Sequence, residues 1–214
     1  VGHDIRNPLQ SIEGAVYLAK EELKSSATES EAKKELGEIL EIIESQTTYI
    51  DHIVADLQDF ARTPKLQLKE TNIRGLITEA LSVVEIPENI EIQTKFEEDN
   101  KEIIVDPTCI KRVLVNLIEN AVQAMPSGGK LTIRNFGEPE AVCISVEDTG
   151  PGISEEHKKK IFTPLFTTKA KGQGFGLSVC KKLVDAHNGE ITFESEIGKG
   201  TTFKMKLPGT AKVK

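Results

Sequence analysis

The chain of 214 residues is 38% apolar and 29% charged, a composition typical of a globular protein with one large or two modest domains. Every apolar run falls short of the roughly 18 residues of a membrane span, and a signal peptide is absent, so we expect no membrane contact within this chain. Cys109, Cys143 and Cys180 lie far apart in apolar contexts, without metal-ligand spacing. They are typical of reduced core thiols, which predicts a cytoplasmic location.

Charge divides the chain into two parts. Residues 1–64 hold 6 Lys or Arg and 13 Asp or Glu, whereas residues 65–214 hold 21 of each class. The whole net charge of −7 therefore belongs to the first part. Nucleic-acid binding needs a basic face, so this distribution argues against nucleic acid as a partner.

The acidic part shows helical periodicity in two apolar series that step by three and four residues, as a coiled-coil seam does. The first series is Ile5, Leu9, Ile12, Val16, Ala19 and Leu23, and the second is Leu36, Leu40, Ile43, Thr47, Ile50, Val54, Leu57 and Ala61. Residues 24–30 are rich in Ser and Thr and predict a turn between two antiparallel helices. A lone hairpin exposes its apolar stripes, so we expect a homodimer that forms a four-helix bundle and ends at Thr63 and Pro64.

Pro8 interrupts the first series without ending it. A proline in a helix interior costs ~3 kcal/mol because it removes a backbone hydrogen bond and crowds the preceding turn. It therefore indicates either a functional bend or a helix that begins near Pro8. His3 and Asn7 lie at i, i+4 on one face just before it, next to Asp4. Taken alone, an isolated histidine of this kind is more typical of a surface position, and the same interpretation applies to His52, His157 and His187.

From residue 65 the pattern is that of an α+β domain. Apolar and β-branched runs predict strands, and three series of period 3.6 among them predict amphipathic helices. Beyond a short strand near residues 66–68, the predicted strands are 90–96, 103–105, 132–136, 142–147, 190–196 and 201–207, and the predicted helices begin at 73, 107 and 177. We expect a mixed sheet with helices on one face, an α/β sandwich. The predicted domains are residues 1–64 and 65–208, followed by a tail over 209–214.

An acidic and glycine-rich segment follows the strand at 142–147. Asp148 can accept a hydrogen bond from an amine, and Gly150 and Gly152 let the backbone approach a flat ring. Alone, this segment is also compatible with an ordinary turn. A second glycine cluster supports a nucleotide pocket, because Gly172, Gly174 and Gly176 open the helix that begins at Leu177, where backbone N–H groups suit phosphate. The dinucleotide fingerprint is rejected, because a polar basic loop rather than a strand precedes these glycines.

Asn116 and Asn120 are four residues apart on the helix that Asp106 and Pro107 begin, so their amides face one side. Amide oxygens suit a hard cation such as Mg²⁺, which keeps waters and substrate phosphates in its shell. The alternative is a pair of capping or solvent-facing side chains. Asparagine is disfavoured inside helices, and its presence twice at this spacing favours a binding role.

Six segments, in the right order, resemble the motifs of the two-component sensor histidine kinases. Five are similar to the ATP-binding motifs of that family, and residues 3–8 are similar to its phosphoacceptor box. They are residues 116–121 (NLIENA), 148–153 (DTGPGI), 161–169 (IFTPLFTTK), 172–177 (GQGFGL), 198–203 (GKGTTF) and 3–8 (HDIRNP). The resemblance covers nearly the whole chain, and residues 120–129 with 166–169 resemble the nitrogen-regulatory-type branch.

The resemblance implies an ATP-dependent protein-histidine kinase. His3 is implied to accept the γ-phosphoryl group of ATP, and Asp4 is implied to be the general base. The phosphoryl group would pass to an aspartate in the receiver domain of a response regulator, and Asn7 would position water for dephosphorylating that partner. The chain also begins two residues before His3, so we expect an excised core whose parent can be membrane-attached through missing N-terminal regions.

The same resemblance assigns the nucleotide site. Asn120 would ligate Mg²⁺ and Asn116 would line the same pocket. Asp148 would bind the adenine amine, helped by Gly152 and Thr201. The segment from Gly172 to Gly176 would close over the phosphates as a lid, with Lys169 as a phosphate contact. Two residues depart from the family pattern, namely Gln123 in place of a basic residue and Phe175 in place of a leucine.

Two other functions compete with the kinase. A nonkinase ATPase of the same fold family, acting as a nucleotide-driven clamp, would need a glutamate one turn before the metal asparagine, and that position holds Asn116, an amide without base function. A scaffold that has lost catalysis would not need His3, Asn120, Asp148 and the glycines together. The pattern therefore favours the kinase.

Overall fold

The computed structural model describes residues 2–25, 34, 36–47, 50, 54, 64–96, 102–138, 140–168 and 174–209, with the backbone alone at 2–6, 20 and 22–25. The chain divides into two compact units, Val1–Ala61 and Arg62–Lys214. The predicted boundary at residue 64 stays a prediction, and most of the predicted tail lies outside the described residues.

The first unit contains two described helical segments, α1 (Gly2–Ser25) and α2 (residues 36–47). Pro8 lies inside α1, so the alternative that the helix begins near Pro8 is wrong. The helix also extends to Ser25, two residues into the predicted turn, and residues 26–30 of that turn lie outside the described residues. The antiparallel hairpin and the dimeric four-helix bundle therefore stay predictions.

The second unit is built on a five-stranded mixed sheet. Its elements in chain order are β1 (Lys69–Asn72), α3 (Ile73–Val83), β2 (Ile90–Phe96), β3 (Glu102–Val105), α4 (Pro107–Ala124), β4 (Gly129–Glu138), β5 (Ala141–Asp148), α5 (Glu155–Lys158), α6 (Gly176–Ala186), β6 (Glu190–Glu196) and β7 (Gly200–Pro208). The strand order is β2-β4-β5-β7-β6. β2 and β4 are parallel, and the other neighbours are antiparallel. β1 and β3 pair with each other in a separate antiparallel sheet.

Helices cover one face of the large sheet, as predicted. In α3, α4 and α6 the residues at helical spacing are buried, and α4 packs against β5 while α6 packs against β6. The sheet residues beneath them are apolar and buried, namely Leu131, Ile133, Ile144, Val146, Met205 and Leu207. These two layers form the core that positions the strand ends and helix ends of the site.

The other face of the sheet is polar. Arg134 pairs with Glu147 at 2.9 Å, and both Lys204 and Lys206 approach Glu138 at 2.7 Å. Hydrogen bonds from these two lysines lower the pKa of Glu138 to about 2. Beneath them, burial and the neighbouring Glu138 raise the pKa of the Cys143 thiol to about 11, so it stays protonated. Cys143 and Cys180 are buried free thiols, as predicted, whereas Cys109 is only half-buried.

Asp106 joins three segments of the second unit. Its Oδ1 accepts from the N–H groups of Thr108 (3.0 Å) and Cys109 (3.2 Å), which caps α4 as predicted, and its Oδ2 accepts from the N–H of Gln67 at 2.8 Å. Burial of the carboxyl raises its pKa, but the N–H donors of Gln67, Cys109 and Thr108 lower it by more. The pKa of Asp106 therefore lies below its ordinary value of 3.8.

His187 is buried, so its predicted surface position is wrong. The backbone N–H of Asp106 donates to its Nε2 at 2.9 Å, and its Nδ1 lies 2.7 Å from the carbonyl oxygen of Leu183. Because a backbone N–H only donates, Nε2 is the acceptor and Nδ1 carries the proton. Sequence spacing did not reveal this role, because Asp106 and His187 are 81 residues apart. His157 is half-buried against Phe166, and His52 lies outside the described residues.

Candidate nucleotide-binding site

Asp148 is the last residue of β5 and its side chain is buried. Its Oδ1 accepts a hydrogen bond from the N–H of Gly150 at 2.8 Å, which starts a tight loop at the strand end. In the sheet, Asp148 pairs with Thr201 of β7, which is also buried. The structure thus brings together two predicted adenine-site residues that are 53 positions apart in the sequence.

The loop from residue 149 to residue 153 is held at three points. The hydroxyl of Thr149 accepts from the N–H of Lys130 at 3.0 Å, which fixes it to the start of β4. The carbonyl of Pro151 accepts from the N–H of Gly198 at 2.8 Å, and the N–H of Ile153 donates to the hydroxyl of Ser195 at 2.8 Å. The loop is therefore supported from both sides, by β4 and by the β6–β7 turn.

Three glycines permit close contacts around this loop. A Cβ on Gly150 would lie 3.0 Å from the carbonyl oxygen of Ala124, at the end of α4. Gly152 has φ +74° and lies against the carbonyl of Glu196, and Gly200 has φ +111° and lies against the carbonyl of Asp148. Other residues rarely adopt such φ values, and a side chain would meet backbone at each position. Glycine is therefore required at these positions so that the loop can pack closely against neighbouring backbone, and the packed loop forms a wall of the pocket.

Asn116 and Asn120 share one face of α4, as predicted. Nδ2 of Asn120 donates to Oδ1 of Asn116 at 3.0 Å. Both are half-buried inside the helix, whose N-cap is Asp106, so they are not capping residues. Ala124, one turn after Asn120, meets Gly150. The asparagine pair therefore lies beside the loop that follows Asp148.

The start of α6 provides backbone donors. Phe175 is its N-cap residue, and the side chain of Phe175 makes no capping hydrogen bond. Backbone N–H groups at an uncapped N-terminus suit phosphate oxygens. Gly174 has φ +72° and lies against the backbone of Leu165, and Leu177 is half-buried in the first turn. Gly176 lies against the amide of Asn116, so its missing side chain makes room for that amide.

Four predicted residues are described in part or not at all. His3 and Asp4 have backbone positions in α1, and their side chains are outside the described set. Lys169 and Gly172 lie outside the described residues, as does residue 173 of the predicted lid. Asn7, one turn after His3, has an exposed side chain on α1.

Sequence reasoning missed Ser195. Its hydroxyl accepts from Ile153 N–H, donates to the carbonyl of Gly200 at 3.0 Å and lies 3.0 Å from the hydroxyl of Thr201. One side chain on β6 therefore supports the loop after Asp148 and the start of β7. The available signal was the alternation of β6, which places a small polar residue at Ser195 on the same face as the apolar Ile191 and Phe193.

The described part of the chain offers no conventional metal cluster. No three His, Cys, Asp or Glu side chains there are grouped so as to hold an ion. Asn120 has its amide nitrogen turned to Asn116, which leaves its amide oxygen on the other side. An amide oxygen with phosphate oxygens and waters fits Mg²⁺, which binds few protein ligands at phosphate sites.

Comparisons with known proteins agree with this geometry. Residues 105–211 match the family described as histidine kinase-, DNA gyrase B-, and HSP90-like ATPase, and residues 1–65 match the His Kinase A (phospho-acceptor) domain. The catalytic domain of histidine kinase ThkA is 37% identical, with a TM-score of 0.62 over 67% of this chain and 97% of that domain. The chain belongs to the histidine kinases. Its assignment to the nitrogen-regulatory-type branch stays a prediction.

Relatives of this histidine kinase chain are longer than it is. It is 32% identical to sporulation kinase C of Bacillus subtilis (strain 168) and 35% identical to sensor histidine kinase ZraS of Escherichia coli (strain K12), and 97% of the chain aligns with each. It spans 47% and 44% of their lengths. A crystal structure of ThkA in complex with response regulator protein TrrA matches the whole chain, with a TM-score of 0.79 and 32% identity, over 61% of the ThkA chain. Within the described residues, no helix combines the length and apolar character that crossing a membrane requires.

Proposed function

We propose that this chain is the core of a sensor histidine kinase that transfers the γ-phosphoryl group of ATP to His3 and from there to an aspartate of a response regulator. The observation that supports it most is the contact between the end of α4 and the loop after Asp148. This contact places the Asn116 and Asn120 amides on the helix that packs against the loop of the buried Asp148 carboxylate. This grouping lies in a chain that also matches the phospho-acceptor domain.

In the proposed site, Asp148 accepts a hydrogen bond from the adenine amine. The carboxylate is preorganised, because Gly150 N–H holds its Oδ1 and Thr201 lies beside it in the sheet. The backbone N–H groups at the start of α6 would face the phosphates, and Lys169, which precedes the lid in the sequence, would add a positive charge. Asn120 would hold Mg²⁺ through its amide oxygen, and a bound Mg²⁺ would supply charge neutralisation at the phosphates.

The transfer step uses the imidazole of His3 as nucleophile. A ring nitrogen forms a bond to the γ-phosphorus, the bond to the bridging oxygen breaks, and ADP leaves with the electron pair. Asp4 takes the proton from the other ring nitrogen. A receiver aspartate then displaces the histidine in the same manner, so no oxidant or further co-reactant is required. The complex of ThkA with TrrA supports a response regulator as the partner.

The proposed homodimer follows from the exposure of the first unit's seams. Leu9 is 47% exposed, Val16 is 37% exposed and Leu40 is 58% exposed in the single chain. All three belong to the predicted apolar series. A second copy would cover them in a four-helix bundle, which is the economical way for helices to bury such stripes.

Labelled ATP tests the proposal directly. Wild-type protein with γ-labelled ATP and Mg²⁺ should acquire label that is lost in acid and kept in base, as expected of a phosphoramidate. His3→Ala should abolish labelling while nucleotide binding, followed by titration calorimetry, persists. Asn120→Asp should weaken Mg-ATP binding and labelling, because it adds charge beside the polyphosphate. Free phosphate without labelled protein would favour the nonkinase ATPase, and neither product would favour a scaffold.

A further inference from the structure

Three side chains from two helices form a network beside the proposed metal position. Oδ1 of Asn116 on α4 accepts from Nδ2 of Asn120 at 3.0 Å and lies 3.5 Å from Sγ of Cys180 on α6, which donates to it. An amide oxygen has two lone pairs, so these two donors use both. Asn116 therefore has its oxygen turned away from any cation and toward its neighbours.

Two contacts hold the Asn116 amide in this orientation. Cys180 is 1% exposed, so its S–H has no access to bulk water and needs an acceptor in the protein. Its Sγ lies 3.5 Å from Asn116 Oδ1 and 3.9 Å from the carbonyl oxygen of Val113, so the contact with Asn116 is the shorter of these two. The whole amide of Asn116 also lies against Gly176, where a Cβ would collide with it and would come closer to Nδ2 than to Oδ1. Exchanging O and N of the amide would place its nitrogen against both donors.

We infer that Cys180 and Asn116 are positioning residues that set the direction of the Asn120 amide, so that the oxygen rather than the nitrogen of Asn120 faces Mg²⁺. The chain of contacts is Cys180 to Asn116 to Asn120: the thiol donor fixes the Asn116 oxygen, and that oxygen accepts from Nδ2 of Asn120 and so fixes the second amide. An Asn120 turned the other way would present N–H groups to the cation, which repels them. This inference rests on the proposed Mg-ATP site and deepens it.

The Cys180 thiol selects the orientation of the Asn116 amide and adds little to the stability of the protein. S–H is a weak donor, and its loss would not by itself unfold a buried site. Its effect lies in the difference between two amide orientations that have nearly the same shape. The expected consequence of losing it is a weaker metal ligand, with adenine binding at Asp148 unchanged because Asp148 is on another element.

The test compares Cys180→Val, which has similar size and no donor, with Cys180→Ser, which restores a hydroxyl donor. A nonhydrolysable ATP analogue is titrated calorimetrically into the full chain with EDTA and over a range of Mg²⁺ concentrations. Cys180→Val should require about two- to tenfold more Mg²⁺ for half-maximal tight binding, the size of one net hydrogen bond. Its affinity in EDTA should equal that of wild type, and Cys180→Ser should restore the Mg²⁺ response.

Cys143→Val is the matched control, because Cys143 is also buried but lies on the other face of the sheet, next to Glu138. It should leave the Mg²⁺ response unchanged. If Cys180→Val fails to fold, Cys180→Ala takes its place with the same expectation. A Cys180 variant with the wild-type Mg²⁺ response, or with equal losses in Mg²⁺ and EDTA, would overturn the positioning role alone. Wild-type protein without Mg²⁺-dependent binding would overturn the proposed function as well.

Discussion

At the residue scale, single polar side chains join segments that are distant in sequence. Asp106 ties the chain before β1 to the start of α4, and His187 ties the end of α6 to Asp106. Ser195 joins the loop after Asp148 to the start of β7. Such groups are costly to remove, because the partners that they leave behind are shielded from water.

Asp106→Asn should lower the free energy of unfolding by about 1–3 kcal/mol at pH 7, because the N–H of Gln67 loses its carboxylate acceptor. The folded-state pKa of Asp106 lies below its ordinary value, so its contribution is present above that value and is lost as the pH falls through the folded pKa. The difference in the free energy of unfolding between wild type and Asp106→Asn should therefore decrease from pH 7 to pH 2, as measured by urea unfolding. Asp185→Asn, an exposed position on α6, should show little gap at any pH. A gap independent of pH would contradict the role of the charge.

Ser195→Ala should weaken ADP binding about two- to tenfold, the size of one net hydrogen bond, since the loop that holds Asp148 loses a support. The comparison is calorimetric, in EDTA, so that the metal does not contribute. Thr192→Ala, on the same strand but exposed on the polar face, is the control and should bind as wild type does. Equal affinities for all three proteins would show that the loop does not depend on Ser195.

At the element scale, the β6–β7 turn forms one wall of the site. The N–H of Gly198 in this turn donates to the carbonyl of Pro151, which holds the loop after Asp148. The turn also places Gly200 against the carbonyl of Asp148. Gly198 and Gly200 both have positive φ, but a side chain at Gly198 would enter open space. The turn therefore offers two glycines with similar backbone strain and different surroundings.

Gly200→Ala and Gly198→Ala separate these two effects. Both should lose roughly 1–2 kcal/mol of stability, because alanine is strained at positive φ. Gly200→Ala should in addition displace Asp148 and weaken ADP binding, whereas Gly198→Ala should bind ADP as wild type does. Thermal unfolding and ADP calorimetry on the same samples give both quantities. Similar ADP affinities for the two variants would mean that the contact with Asp148 is irrelevant to the site.

At the scale of the whole molecule, the chain combines an acidic helical part with a second part, residues 65–214, in which 21 Lys or Arg balance 21 Asp or Glu. Chemistry is proposed for residues in both units. The first unit would supply the phosphoacceptor and the second the nucleotide. Two predictions concern the first unit.

Leu9→Glu should convert the proposed dimer to a monomer, because it places a charge in the seam that a second copy would cover. Leu18→Glu is the matched control on the same helix. It is nine residues away, which is two and a half turns and hence the opposite side, and it is also exposed. Light scattering after gel filtration measures the mass of each. A dimeric Leu9→Glu variant, or a monomeric wild type, would refute the proposed interface.

Asn7→Ala should keep autophosphorylation but lose the ability to speed dephosphorylation of a receiver. Asn7 lies one turn after His3 with its side chain exposed, so its amide can orient a water near a docked phospho-aspartate. The lifetime of an isolated phospho-receiver is measured with each protein added. Ser11→Ala, which removes a hydroxyl bonded to the Asn7 carbonyl at 3.2 Å, controls for helix geometry. Equal acceleration by wild type and Asn7→Ala would exclude the role, and a variant that also stops labelling His3 would assign Asn7 to helix geometry.

Much of the fold follows from local pattern. Alternation and apolar runs predicted β2, β6, half of β4 and most of β3, β5 and β7, and Asp106 with Pro107 predicted the start of α4. These signals are local, because each element buries one face and its sequence records which one. The pairing of β1 with β3 apart from the large sheet was not predictable in this way, since register depends on partners elsewhere in the chain.

The sequence by itself determined most of the elements, the two-part organisation of charge, the residue types for nucleotide chemistry and the resemblance that led to the family, whereas it missed α5 and placed a short strand before β1. Only the tertiary structure decided which of these residues touch. It placed Asn116 against Cys180 and Gly176, buried His187 beneath Asp106, and set Ser195 under the loop after Asp148. The physical reason is that periodicity reports which face of an element is buried, whereas hydrogen bonds between distant elements depend on distances that only the packed chain defines.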